Sequence, residues 1–473
     1  MVDGRALTAQ FEDAVDFETR KVLCGGQLLT VLFLDGLTSG GDIAEQVVRP
    51  LAQMTDEARE EVLFTRALQG GVWCASVKEP ESTQQAAELL VNGFCVILFP
   101  KSGKALGCEV KTGEKRSPSP PETENTVKGA KDAFTETLRT NTSLVRRHLR
   151  TPGLRLTETV IGKRTLTKVT VCWIDGLTDP ELPRRMQERL SSIDIDGALS
   201  PAAIEEYVTG SRRTAFPLLE YTERTDHFCQ GLLDGQVGLL ADGLPLGYLA
   251  PVGLGRLMRS PEDRATDFFS ASMLRLLRYA ALGVSLLLPA LYAAMAMFHQ
   301  QMLPTKLLLS IIESKQNVPF STLLEVLGLL CAFELLQQAG LHLPQAVGTA
   351  VSIIGGLVVG TAAVDAKLVS PAALIVTASS GICGFTLPNR ELSDAVRLWR
   401  FVLTVLAGLW GLFGVTVGLL LLLTELAGLE SLGRSYLSPF GRAEVKGALV
   451  RPRLVRQKWR DGALKPMDDQ NQR

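Results

Sequence analysis

The chain has 473 residues, with 49 Lys and Arg against 50 Asp and Glu, so its formal net charge is -1. This balance excludes the overall basic field of a nucleic-acid-binding protein, and we expect no nucleic-acid partner. Charged residues crowd positions 1–278 and 425–473, whereas the region between them has long uncharged stretches. The asymmetry predicts a soluble N-terminal half joined to a membrane-embedded C-terminal half.

The first residues are polar and contain no apolar core of the kind found in signal peptides. We therefore expect the N-terminal half to remain in the cytoplasm. The eight cysteines form no Cys-x-x-Cys pair, and most of them lie within apolar runs. Buried free thiols are predicted, rather than a disulfide framework or a zinc site.

A repeat organises the soluble half. Residues 31–38 read VLFLDGLT and residues 171–178 read VCWIDGLT, and in both an apolar strand-like run meets an Asp-Gly turn. A second pair of landmarks, LVNG at 90–93 and LLDG at 232–235, precedes an apolar run in each unit. Two matched landmarks at nearly the same offset predict a duplicated α/β unit.

A Pro/Ser-rich loop separates the two units. Residues 111–125 read KTGEKRSPSPPETEN, a composition that should lack a packed core. We place the first subdomain at 1–125 and the second, which begins with a linker helix over 132–148, at 126–270. That helix ends in a basic cluster that contacts lipid headgroups or a neighbouring subunit, or else is a solvated face. The cluster comprises Arg146, Arg147, His148 and Arg150.

Apolar stretches long enough to span a bilayer begin at position 279. Residues 279–298 carry no charge, and 20 residues at about 1.5 Å each cover about 30 Å, the thickness of the hydrocarbon core. Three further charge-free stretches lie at 343–364, 368–389 and 401–424, and a fifth, at 318–337, contains two glutamates. These stretches predict a helical transmembrane domain over 271–430.

Basic residues set the expected orientation. Five arginines precede the first span and the tail at 431–473 is rich in Arg and Lys, so the positive-inside rule places both ends in the cytoplasm. An even number of spans is then required. We therefore interpret 318–337 as a re-entrant or interfacial helix, which leaves four full spans. This interpretation puts three basic residues on the outer side: Arg390, Arg397 and Arg400.

Small residues predict close helix packing in the membrane. The stretch 343–364 contains Gly355, Gly356 and Gly360, and the last span contains Gly414 and Gly418. Glycines four positions apart let two helix backbones approach closely, and such packing drives association in lipid. The five glycines are therefore candidate helix-packing residues. The alternative is that glycine is simply common in membrane helices.

Two glutamates in an apolar stretch form the candidate ion path. Glu325 and Glu334 lie within 318–337, where an ionisable group is costly and usually faces protein or water. Nine positions at about 100° each place them on opposite faces of a straight helix, so only one is expected to line a narrow path. We favour Glu325, which is nearer the polar segment 317–319. The alternative is that either carboxylate lies at the membrane interface and is merely solvated.

No enzyme site is visible in the sequence. Ser102-Gly103-Lys104 resembles a phosphate-binding loop, but Ala105 follows where Ser or Thr would bind the metal, and Leu98 occupies the position of the first glycine. The four histidines have no metal-ligand spacing, and the two Asp-Gly pairs are interpreted as turns. We expect no catalytic activity, no cofactor and no bound metal.

A series of ordered motifs runs along most of the chain. They are GAKDAFTETLRTNTSLVRR at 129–147, FPLLEYTER at 216–224, SPED at 260–263, RLLRY at 275–279, LPALY at 288–292, HQQMLP at 299–304, AAVDA at 362–366 and YLSPF at 436–440. In these motifs the chain closely resembles the A subunits of GerA-type spore germinant receptors, a family that also includes a stage V sporulation relative.

The resemblance implies a subunit of a nutrient-responsive complex in the spore inner membrane, whose A subunits assemble into an oligomeric channel for monovalent cations. It also implies two partners, a transporter-like B subunit with the nutrient pocket and a lipoprotein C subunit outside the membrane. The chain departs from the family at Gln337-Gln338, where an Arg-Glu pair is usual, and at Asp365, where Glu is usual. The first departure removes an ion pair, and the second keeps the charge.

The predicted fold is α+β/α, with a cytoplasmic N-terminal half of two duplicated α/β subdomains followed by an α-helical multi-pass transmembrane domain. The predicted function is that of a germinant-receptor subunit that self-associates in membrane lipid as a nutrient-gated cation channel. One alternative is a non-conducting scaffold or a paralogous sporulation membrane protein. The other is a secondary transporter, but such transporters usually have inverted membrane repeats, whereas the repeat detected here is in the soluble half.

Overall fold

The computed structural model describes most of the chain. The described residues are 2–55, 58–111, 121, 124, 128–210, 214–342, 360–438, 440, 447, 449–453, 455, 457, 459–460 and 462–471, with the backbone alone at 340–342 and 463. Within them, two mixed α/β units are followed by a helical half and by a tail that packs back onto the second unit.

The first unit is a five-stranded antiparallel sheet with an apolar cluster on each face. Its strands are β1 (Phe17–Cys24), β2 (Gln27–Leu34), β3 (Val77–Lys78), β4 (Phe94–Phe99) and β5 (Lys104–Glu109), in the order β1-β2-β4-β5-β3. Its helices are α1 (Gly4–Ala9), α2 (Gly40–Asp42), a π-helical segment (Ile43–Val48), α3 (Arg49–Gln53), α4 (Glu60–Arg66), a second π-helical segment (Ala67–Gly71) and α5 (Thr83–Val91). All of β4 is buried, because Ile97 packs into one cluster and Val96 into the other.

The second unit repeats this arrangement. Its strands are β6 (Leu154–Ile161), β7 (Thr167–Ile174), β8 (Glu220–Thr222), β9 (Val237–Ala241) and β10 (Gly247–Ala250), in the order β6-β7-β9-β10-β8. Its helices are α6 (Leu138–His148), α7 (Glu181–Ser191), α8 (Pro201–Thr209) and α9 (Thr225–Leu233). The strand order matches that of the first unit, strand for strand, so the predicted duplication is confirmed.

Glycine turns mark the repeat at the predicted landmarks. Gly36 and Gly176 complete the matched Asp-Gly pairs with φ of +87° and +73°, and Gly93 and Gly235 precede β4 and β9 with φ of +80° and +99°. A positive φ is strained for a residue with a Cβ atom but not for glycine. The two units therefore share backbone geometry at these turns as well as sequence.

A buried ion pair connects the two units. Arg146 of α6 donates from Nε and Nη2 to the two carboxylate oxygens of Asp16, each at 2.8 Å, and their side chains are 1% and 2% exposed. Nearby, His148 lies 2.7 Å from Asp132. In the predicted basic cluster, Arg146 is therefore unavailable to lipid or solvent, because it binds the first unit.

The eight cysteines are all free, as predicted. The burial prediction holds for five of them and is wrong for Cys331, which is exposed, while Cys74 and Cys383 are half-buried. The buried thiols are Cys24, Cys95, Cys108, Cys172 and Cys229.

The helical half begins after β10. Its helices are α10 (Leu254–Leu257), α11 (Glu262–Ala265), α12 (Phe268–Met297), α13 (Thr305–Lys315), α14 (Thr322–His342), α15 (Gly360–Asp365), α16 (Pro371–Phe385) and α17 (Arg390–Gly428). Among the described residues, three helices are long and apolar enough to cross a membrane: α12, α14 over 322–339, and α17. α16 is apolar but has only 15 residues.

The last of these helices, α17, is a hairpin of two antiparallel legs. Its backbone leaves helical geometry at Gly411, with φ 62° and ψ -141°. Beyond this point Gly418 packs against Leu403, and Leu422 shares an apolar cluster with Val396. In a straight helix, Leu403 and Gly418 would be about 22 Å apart. A single span over 401–424 is therefore wrong, because the chain reverses inside that stretch.

The hairpin changes where the arginines of α17 lie. Its turn at Gly411 packs against Phe298, at the far end of α12, while both of its ends lie beside the second α/β unit. Arg390 begins the first leg at the end near the soluble half. The predicted outward position of these arginines required 318–337 to be re-entrant or interfacial and 401–424 to be a single span. The reversal at Gly411 removes the second of these conditions.

Two other predicted stretches also differ from the structure. The stretch 318–337, predicted as a re-entrant or interfacial helix, is not re-entrant: α14 is an unbroken helix from Thr322 to His342 that is long and apolar enough to cross a membrane. The stretch at 368–389 corresponds to α16, whose 15 residues cover about 22 Å, less than the hydrocarbon core. The predicted span at 343–364 lies outside the described residues except for 360–364, which belong to α15.

The tail packs against the second unit. After α17, the short strands β11 (Glu430–Ser431) and β12 (Arg434–Ser435) form a small hairpin. Ser431 Oγ accepts a hydrogen bond from the backbone N–H of Val252 at 3.0 Å, and the N–H of Met467 donates to the carbonyl of Leu177 at 2.8 Å. Both ends of the helical half therefore lie at the same end, next to the soluble half.

Candidate functional site in the helical half

Glu325 lies on α14 inside the protein, with only 2% of its surface exposed. One carboxylate oxygen accepts a hydrogen bond from the backbone N–H of Ser370, the N-cap of α16, and Lys315 Nζ lies 3.5 Å from the other. A carboxylate at a helix N-terminus is stabilised by the helix dipole. The expectation that Glu325 faces water is therefore wrong for the single chain, where a lysine and a helix end neutralise its charge.

Glu334 is the more exposed of the two carboxylates, with 28% of its side chain accessible. Its Oε1 accepts a hydrogen bond from Arg397 Nη1 at 2.6 Å. Arg397 also donates to Gln337 Oε1 at 2.7 Å and to the carboxylate of Asp394. Gln337 replaces one residue of the ion pair usual in the family, yet its amide keeps a polar contact at this end of α14.

The two carboxylates contact different neighbours, as their nine-residue spacing predicts. Glu325 meets Lys315 of α13 and the start of α16, whereas Glu334 meets Arg397 of α17. Within one chain they therefore do not line a common path.

Sequence analysis missed Arg400 as a site residue. Arg400 lies on the first leg of α17 and is 1% exposed. Its Nη1 donates to Ser380 Oγ at 3.1 Å, and Ser380 Oγ donates to the carbonyl of Ser285 at 2.7 Å. Its Nε and Nη2 have no hydrogen-bond partner among the described residues. The sequence does contain a signal for it, because Arg400 is a charged residue next to the apolar stretch 401–424. That charge entered the prediction only through the positive-inside rule.

The glycines of α17 pack within its hairpin. A Cβ atom on Gly414 would lie 1.9 Å from the carbonyl oxygen of Leu406, and one on Gly418 would lie 2.4 Å from Leu403 Cδ2. Both glycines therefore let the two legs approach, and the contact is made inside one chain.

The other candidate glycines are described only in part. Gly360 is buried on α15, and a Cβ atom there would meet Leu374 of α16 at an ordinary 3.6 Å. Gly355 and Gly356 lie outside the described residues. Sequence analysis also missed Gly411, although a glycine in the middle of a long apolar stretch is a recognised signal of a helix break.

A charged network joins the second α/β unit to the start of the helical half. Glu220 of β8 accepts hydrogen bonds from Arg256 Nε at 2.7 Å and pairs with His227 at 2.9 Å. Arg256 and Arg264 each donate to Asp234 at 3.0 Å. Burial alone would raise the pKa of Glu220, but the charges of Arg256 and His227 outweigh it and lower the pKa to about 2.

The first long helix is fixed to the same region. Asp263 of α11 is buried and accepts from Arg275 Nη2 at 3.2 Å and from Arg278 Nη1 at 2.8 Å, both on α12. Asp263 is the neighbour of Arg264 in the chain. Two groups of ion pairs, joined through the adjacent residues Asp263 and Arg264, therefore connect β8 to α12.

The amino-acid sequence is similar to known proteins along nearly its whole length. It matches the family model described as Bacillus/Clostridium GerA spore germination protein over residues 5–466. The chain belongs to this family. The matched region includes both α/β units, the whole helical half and nearly all of the tail, so every group described above lies within it.

Individual GerA-family relatives are similar in sequence to this chain over most of their length. An uncharacterised membrane protein of Bacillus subtilis, YfkQ, is 36% identical over 92% of this chain and 84% of its own. Spore germination protein KA of the same organism is 35% identical over 89% and 78%, and spore germination protein GerLA of Bacillus cereus is 32% identical over 91% and 88%.

Among solved structures, the N-terminal domain of the A subunit of the Bacillus megaterium spore germinant receptor GerK3 matches 52% of this chain and 92% of that domain. Its TM-score is 0.42 and its sequence identity is 24%.

The helical half of this GerA-family chain exposes many large apolar side chains, which is unfavourable in water. Together with its three apolar helices, this exposure indicates a membrane protein. Side chains more than 60% exposed include Phe269, Met273, Leu309, Leu335, Ile375, Ile382, Phe385, Phe413 and Leu420.

Proposed function

We propose that the chain is the A-type subunit of a spore germinant receptor in the spore inner membrane. Several copies assemble with a transporter-like B subunit and a lipoprotein C subunit and enclose a path for monovalent cations, which opens when a nutrient is sensed. The observation that carries the receptor role is the match to the GerA spore germination family over residues 5–466, a family match shared with the spore germination relatives KA and GerLA.

The orientation proposed is that both ends of the chain lie in the cytoplasm. This is supported by the tail, which packs on the second α/β unit, so that both ends of the helical half emerge beside it. It is also supported by the arginines at that end, among them Arg275, Arg278 and Arg390, because basic residues favour the cytoplasmic side.

The proposed cation path is supported by charged side chains held inside the helical half. Such groups are costly in lipid and commonly mark ion pathways. Glu334 is the better candidate for the path, because its side chain is 28% exposed, on a face of α14 that a second copy could complete. Glu325 is better suited to holding α14 against α13 and α16.

A non-conducting scaffold is the rival function, and one observation favours it. Both glutamates of α14 have a basic partner within the chain, Lys315 for Glu325 and Arg397 for Glu334. A carboxylate that is already paired attracts cations less strongly than a free one. A scaffold needs no water-filled path through the membrane, so ion flux distinguishes a scaffold from a channel.

The test is potassium release from spores in which this chain and its co-encoded subunits form the sole receptor. The spores are exposed to a mixture of amino acids, sugars and nucleosides, and immunoblots measure subunit abundance. Glu334→Gln is expected to slow potassium release by about tenfold or more at normal abundance, since carboxylates commonly set cation preference. The matched control is Glu313→Gln, an exposed glutamate of α13, which is expected to leave release unchanged.

The outcomes separate the two functions. Slower release in Glu334→Gln alone supports the channel. Unchanged release in both Glu334→Gln and Glu325→Gln, at normal abundance, would exclude a carboxylate-lined path and favour the scaffold.

A further inference from the structure

The charges around Glu334 are incompletely paired. Arg400 is 1% exposed and has two guanidinium nitrogens, Nε and Nη2, without a partner among the described residues. Glu334 Oε2 is also buried without a partner, although its Oε1 is bonded to Arg397. An unpaired buried charge is strongly unfavourable, and each such group calls for an explanation.

The two arginines are placed to serve the same carboxylate. Arg397 and Arg400 are three positions apart on the first leg of α17, so their side chains emerge on neighbouring parts of one helix face. Arg397 already donates to Glu334 Oε1 at 2.6 Å, and Arg400 lies about one helical turn further along the same leg. The distance between the two positions along the helix axis is about 4.5 Å, three residues at 1.5 Å each.

We propose that Arg397 and Arg400 are two alternative partners of the Glu334 carboxylate, which it exchanges when α14 moves along the first leg of α17. The inference rests on the proposed function, because the movement is the conformational step that opens the path. The structure contains the first arrangement, in which Glu334 pairs with Arg397.

The second arrangement would supply the partner that Arg400 lacks in the first. When Glu334 moves to Arg400, the guanidinium that lacks partners gains a carboxylate. Arg397 then retains Asp394, which lies on the same helix and already accepts a hydrogen bond from it. Two states with the same number of ion pairs can differ by only a few kcal/mol, which is the range in which a ligand can shift a population.

The first experiment measures thermal unfolding of the detergent-solubilised full chain in four variants. Arg397→Gln and Arg400→Gln are each expected to lower Tm slightly, because Glu334 still has one arginine. The double variant leaves Glu334 without a partner, so its Tm loss should exceed the sum of the single losses by about 5 °C or more. The control is Arg390→Gln on the same helix, where the arginine is exposed.

A rescue keeps the result interpretable if the double variant fails to fold. The triple variant Glu334→Gln, Arg397→Gln, Arg400→Gln contains no orphaned charge, so it should regain the Tm lost beyond additivity. General loss of packing would not be reversed by a third substitution. Three outcomes would each overturn the proposal. They are additive Tm losses, no rescue by Glu334→Gln, and a loss in Arg400→Gln alone as large as in the double variant.

The second experiment tests the movement. In the sole-receptor spores, Arg400→Gln removes the second partner and is expected to slow potassium release by about tenfold, whereas Arg390→Gln releases normally. Normal release in Arg400→Gln would overturn the exchange as an opening step. If wild-type spores release no potassium, the proposed channel fails, while the Tm cycle still decides whether the two arginines are alternative partners.

Discussion

Leu403 and Gly418 are fifteen positions apart in the chain and in contact, since a Cβ atom on Gly418 would lie 2.4 Å from Leu403 Cδ2. The contact exists because Gly411 turns the longest apolar segment back on itself. As a result, the first leg of α17 begins and the second leg ends beside the soluble half, and the turn between them lies against the far end of α12.

The turn at Gly411 should tolerate no side chain. Its φ of 62° and ψ of -141° lie in a region open almost only to glycine, and a Cβ atom would also lie 3.0 Å from Phe298 Cβ. Gly411→Ala is expected to destabilise the chain by about 1–3 kcal/mol, measured as a lower Tm of the full chain in detergent. The control is Gly428→Ala, where nothing lies within 4 Å. Equal Tm values for the two variants would contradict the hairpin turn.

Two glycines of the helical half should respond differently to the same small change. Gly414→Ala places a Cβ atom 1.9 Å from a backbone carbonyl of the facing leg, so the legs have to separate. Gly360→Ala places one at 3.6 Å from Leu374, an ordinary contact, and should be tolerated, whereas Gly360→Leu overfills the site. The yield of monodisperse protein after detergent extraction measures the difference. A normal yield for Gly414→Ala would mean that the legs are not in close contact.

Glu220 should make stability depend on acid pH. Its pKa in the folded chain is about 2, below the ordinary value of about 4.3, because Arg256 and His227 favour the charged form over the opposing effect of burial. The stabilisation is fully present above about pH 4.3 and is lost as pH falls towards 2. The free energy of unfolding of the full chain should therefore fall less over this pH window in Glu220→Gln than in wild type. The exposed Glu18→Gln serves as the control and should behave as wild type.

The ion pair between the two α/β units should be costly to break from one side. Asp16→Asn leaves the Arg146 guanidinium buried without its charge partner, which is expected to cost about 3–5 kcal/mol in urea unfolding of the full chain. Replacing both partners, as Asp16→Leu with Arg146→Met, should recover most of that loss. The exposed Asp13→Asn is the matched control. A loss below 1 kcal/mol in Asp16→Asn would mean that the pair is solvated.

Topology can be tested with an impermeant thiol reagent on intact cells, in a variant without other reactive cysteines. Cysteine at Met302, which follows α12 at the far end of the helical half, is expected to be labelled. Cysteine at Gln470 is expected to be protected until the cells are opened, because Met467 and Arg460 of the same part of the tail bond to the second unit. Labelling of position 470 in intact cells would reverse the proposed orientation.

The sequence by itself determined the features that depend on local pattern. Apolar runs next to matched glycine turns, repeated at nearly the same offset, predicted the duplicated unit. Strand ends and positive-φ turns can be predicted in this way because neighbouring residues determine them. Long uncharged stretches predicted the helical half, and the spacing of Glu325 and Glu334 predicted that they face different neighbours. The family was also readable, because its motifs keep their order along the chain.

Only the tertiary structure decided what depends on contacts distant in sequence. Hydropathy alone does not distinguish one span from two legs, so the reversal at Gly411 is seen only when Leu403 meets Gly418. Hydropathy also does not show which group pairs with a charge. Glu325 was expected to face water, but it is buried against Ser370 because α16 begins beside it. Arg400 became significant for the same reason, since an unpaired guanidinium is defined by what surrounds it, and those neighbours come from other helices.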